Sequence, residues 1–110
     1  MKNIKLLGIY EDVVSIRSRL KISIMNIYLP EMIELCFELL EEYCLLSEEE
    51  RRDATNWTYC CNAAGTLARV AQPGLRERIT AYIAKYPFLS ENRIAEALQR
   101  NKYFERMNYS

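Results

Sequence analysis

The chain has 110 residues, half of them apolar, and its 15 Lys and Arg balance 15 Asp and Glu. That is one soluble domain with enough apolar content for a real core, and three Gly and three Pro are too few for a loop-rich or many-turned β fold. The chain has no His, which removes the commonest general base, the usual metal ligand and the physiological pH switch together.

The charge balance hides two opposed blocks. Residues 31–50 carry eight Glu (Glu31, Glu34, Glu38, Glu41, Glu42, Glu48, Glu49, Glu50) and no basic residue. The other ninety residues hold all fifteen basic side chains and only seven acids, an excess of +8. Single-sign patches steer association, whereas the net charge says little about function.

In chain order, residues 2–9 read either as a helical lead-in or as a short extended arm. Residues 11–28 place Val13, Ile16, Leu20, Ile24 and Ile27 at helical spacing, which predicts an amphipathic helix. Pro30 suits the first turn of a second helix over about 30–46, whose apolar side is Ile33, Phe37, Leu40 and Cys44, widened by Cys36, Leu39 and Tyr43. Ser47-Glu48-Glu49-Glu50 matches the capping box and starts a third helix, expected to run from 48 to about 71. Its stripe is Trp57, Cys60, Cys61, Ala64, Leu67, Ala68 and Ala71, ended by Pro73-Gly74. Leu75, Ile79, Tyr82, Ile83 and Tyr86 give a short fourth helix. Ser90 caps a fifth, with Ile94, Ala95, Leu98 and Phe104 inward. The expectation is an all-α, compact bundle of about five short helices in a single domain, 1–110.

No apolar run approaches the roughly 18 residues that a membrane span needs. The first ten residues lack a long apolar segment and are followed by Glu11-Asp12, so they do not read as a signal peptide. A cytoplasmic location is therefore expected, with Cys36, Cys44, Cys60 and Cys61 as free thiols. All four fall in predicted helices without a CxxC-like pair, so neither a metal site nor a catalytic thiol is expected. No P-loop, GxGxxG, HExxH or GxSxG is present, and no cofactor is implied. Eight Tyr are assigned mainly to core edges and caps, with an aromatic-rich contact surface as the other reading.

Glu31, Glu34, Glu38, Glu41 and Glu42 follow 3–4 spacing on the second helix, and nothing basic sits at i±3 or i±4 within it. The bland reading is a solvated face, or one paired with Arg17, Arg51 or Arg76. The functional reading is a docking surface for a protein with a basic surface. Carboxylates about 5.4 Å apart along a helix resemble the rows used by small phage inhibitors that mimic nucleic acid. Those inhibitors are strongly acidic overall, and this chain is neutral. The function expected is thus a small non-enzymatic interaction module of the inhibitor, immunity or adaptor kind, from a phage or bacterium. Its partner would be larger, a nucleic-acid-handling complex being one case. The alternative is a helix-turn-helix regulator over residues 75–106, reading DNA with Arg93, Gln99, Arg100 and Lys102. A third class is a homodimer seated on the small residues Ala63, Ala64 and Gly65.

Overall fold

Helix formation begins at Asn3. Its side-chain Oδ1 accepts from the backbone N–H of Lys5 and of Leu6, both at 3.1 Å, and its carbonyl accepts from Leu7 N–H at 3.0 Å. This is N-cap geometry, in which a short polar side chain satisfies donors left over in the first turn. The first helix, α1, therefore spans Ile4–Leu20, so residues 4–9 are helical and not an extended arm.

The computed structural model describes residues 3–20, 29–69, 74–87 and 89, without the side chains of Leu20 and Arg76. After α1 come α2 (Leu29–Cys44), α3 (Glu48–Arg51), α4 (Ala54–Ala68) and α5 (Leu75–Lys85). The chain is all-α: among the described residues there is no strand. None of the described helices is long and apolar enough to cross a membrane. The expected helix from Ser90, and the expected core positions Ile24, Ile27 and Ala71, lie outside the described residues.

The described residues fall in two compact units, Met1–Ala63 and Ala64–Ser110. In the first, α1 packs on α2. Leu6, Ile9, Val13 and Ile16 supply the buried stripe of α1 at 3–4 spacing. The inner face of α2 is broader: Met32, Ile33, Cys36, Phe37, Leu39, Leu40, Tyr43 and Cys44 are all buried. Every apolar position expected to face inward on the second helix does so. Tyr59, Cys60 and Ala63 of α4 complete the buried set of this unit, and the Tyr10 and Tyr59 rings lie 4.6 Å apart.

The expected helix over 48–71 is two helices. α3 ends after one turn because Asp53 caps a new start. Its Oδ1 accepts from Thr55 N–H at 2.9 Å and from Asn56 N–H at 3.3 Å. The restart sets the phase of α4 independently of α3, so Asn56 is fully buried and Trp57 only half-buried.

In the second unit Ala64, Leu67, Ala68, Leu75, Ile79 and Leu89 are buried, and the expected stripe residues Tyr82, Ile83 and Tyr86 are half-buried. Gly74 precedes α5 with φ +83°, a left-handed conformation that glycine adopts without the Cβ penalty.

Candidate functional site

The outward row of α2 follows from its inward one. With buried positions at 32, 33, 36, 37, 39, 40, 43 and 44, the residues of 31–45 left unburied are 31, 34, 35, 38, 41, 42 and 45. Five of these are Glu, and Leu35 is half-buried. Glu31, Glu34 and Glu38 are exposed, Glu41 is half-buried, and the row ends on Leu45, 65% exposed. Glu31 and Glu38 make no ion pair among the described residues. Seven residues separate them, about 10.5 Å along the helix axis. Like charges three and four residues apart oppose helix formation by a few tenths of a kcal/mol per pair. Glu31 sits in the first turn, where the helix dipole favours an acid; the last turn holds no basic residue to suit its negative end.

Glu42 stands apart from the other four. It is half-buried and turned toward α1, where its Oε1 lies 2.9 Å from Lys5 Nζ. The pair sets the start of α1 beside the end of α2 and brings a cation to the negative end of the α2 dipole. The structure thus places Glu31, Glu34 and Glu38 on one exposed row with Glu41 at its end. Glu42 belongs to the helix–helix contact.

The second half of the acidic run, Glu48 to Glu50, has a different setting. All three lie in the first turn of α3, where acids are favoured. Glu48 pairs with Arg52 at 2.6 Å, an exposed i,i+4 contact. Ser47 Oγ accepts from Glu50 N–H at 3.2 Å, as the capping motif predicts, and donates to Glu50 Oε1 at a longer 3.4 Å. Glu50 Oε2 accepts from Asn3 Nδ2 at 3.1 Å.

Around Glu50 lies a polar junction that sequence reasoning missed. Asn56, 0% exposed, accepts from Asn3 N–H through Oδ1 at 2.7 Å and donates from Nδ2 to the Glu50 carbonyl at 3.0 Å. One amide therefore ties the start of α1 to α3 and to the first turn of α4, with the hydrogen bonds that a buried polar group requires. Tyr43 adds a second tie: its hydroxyl donates to the Arg51 carbonyl at 3.0 Å, while Arg51 Nη1 donates to the Leu46 carbonyl at 2.6 Å. Asn3 ahead of Ile4, and Asp53 ahead of Ala54, are the sequence signals that mark the two helix starts.

All four cysteines are free thiols, three buried and Cys61 half-buried. Burial pushes the Cys36 thiol up to about 12, opposed by the Arg17 guanidinium. Burial also raises Cys60, reinforced by Cys44 and Cys61. These two thiols are held neutral at ordinary pH, whereas the nucleophile and metal ligand is the thiolate. Tyr43 is raised by burial and then by Cys60, with Arg51 opposing. Among the described residues no group of three or more Cys, Asp or Glu side chains is arranged to hold a metal ion.

Arg93, Gln99, Arg100 and Lys102, the residues of the helix-turn-helix reading, lie outside the described residues. Of the three small residues considered as a dimer seat, Ala63 and Ala64 are fully buried within the chain and Gly65 is half-buried. No family model matches the chain, and comparison with curated proteins and with solved structures returns no significant match.

Proposed function

We propose that the chain is a non-enzymatic interaction module, of the inhibitor, immunity or adaptor kind, which binds a basic surface of a larger protein through the outward row of α2. The observation that carries this reading is the row itself. Glu31, Glu34 and Glu38 are exposed at helical spacing, and Glu31 and Glu38 have no ion pair among the described residues. Elsewhere in the acidic run Glu42 meets Lys5, Glu48 meets Arg52, and the Glu50 carboxylate accepts from Asn3 Nδ2. No ion pair among the described residues engages Glu31 or Glu38. Glu34, three residues from Glu31 and four from Glu38, repels both weakly along the helix, and a cationic partner would relieve that repulsion.

The mechanism is steric and electrostatic. The row steers a basic surface into register, and Leu45 at its end offers apolar area to desolvate. Affinity capture of the tagged protein from its source lysate, with the retained protein identified by mass spectrometry, supplies the partner. The purified complex is then titrated with salt. Affinity should fall steadily as NaCl rises from roughly 50 to 500 mM, because exposed charges are screened over shorter distances. A complex indifferent to salt would exclude the row as the docking surface.

A further inference from the structure

We draw no further inference here: the strongest candidate, the exposed apolar pair of Ile4 at the start of α1 and Leu45 just past the end of α2, is an unpartnered patch, and nothing in the structure shows what covers it.

Discussion

The two halves of the acidic run show one residue type in opposite employment. On α2, Glu31 and Glu38 point to solvent and make no ion pair among the described residues. Ten to twenty residues later, Glu50 is half-buried, accepts from Asn3 and caps α3 with Ser47, and Glu48 closes an i,i+4 pair. A count of charges treats these as a single block. Partners divide it into carboxylates that serve the fold, such as Glu42, Glu48 and Glu50, and those with no ion pair among the described residues, Glu31, Glu38 and Glu49. Only the second set is a candidate for recognition.

The contrast is sharpest at Asn56, which anchors the structural half. In Asn56→Ala, the Asn3 N–H loses its acceptor, while the Glu50 carbonyl keeps the Asp53 N–H at 3.2 Å. An unsatisfied donor is expensive, so urea denaturation should show a loss of about 2 kcal/mol. A loss under about 0.5 kcal/mol would mean that the junction is incidental.

The inner face of α2 should leave a pH signature above about pH 9. Cys36 has its thiol raised in the folded state, from an ordinary 9.0 to about 12. A raised acid favours the protonated fold, so its contribution is intact below about pH 9 and is lost as pH climbs from there toward 12. By pH 10 the loss is roughly 1 kcal/mol per such thiol. Denaturation midpoints measured from pH 7 to 10 should fall, and Cys36→Ala, though less stable at pH 7, should fall less steeply.

A direct comparison of the two halves comes from removing one carboxylate from each. Glu50→Ala should destabilise by about 1 kcal/mol through the lost contacts of its carboxylate with Asn3 and the Ser47 hydroxyl, the backbone cap being kept. Glu38→Ala should stay within about 0.5 kcal/mol of wild type, as exposed substitutions do. Equal losses in thermal or urea unfolding would erase the distinction. The smallest effect is expected for Lys5→Ala, because an ion pair whose lysine side chain is 66% exposed contributes little. That loss should be under about 0.5 kcal/mol and should shrink further in high salt.

Much of this division was legible in the sequence, and what was missed has a physical cause. The inward residues of α2, the outward Glu row and the Ser47 start are all local patterns, set by the 3.6-residue period or by a cap three residues away. The apolar stripe from Trp57 onward carries no mark of the break at residues 52–53; the local signal there is Asp53, an N-cap residue type. Once the helix restarts there, Asn56 and not Trp57 takes the inward position. The polar junction was hidden for another reason: Asn3 and Asn56 are 53 residues apart, and no local rule brings them together. Glu42 is similar. A search at i±3 and i±4 finds no cation for it, and its partner Lys5 arrives from another helix. Local sequence showed which carboxylates point away from the core of α2; only the packing showed that Glu42 is already engaged.

The central claim is that Glu31 and Glu38, on the outward row of α2, bind a partner. Its most direct test is affinity capture with wild type and Glu31→Lys/Glu38→Lys run side by side, after unfolding curves establish that both are folded. The account predicts a folded variant within about 1 kcal/mol of wild type, the cost arising at Glu31 where the helix dipole favours an acid, and a specific basic-surfaced protein retained by wild type and lost by the variant. Equal retention of that protein by both, or no specific protein retained by wild type, would contradict it.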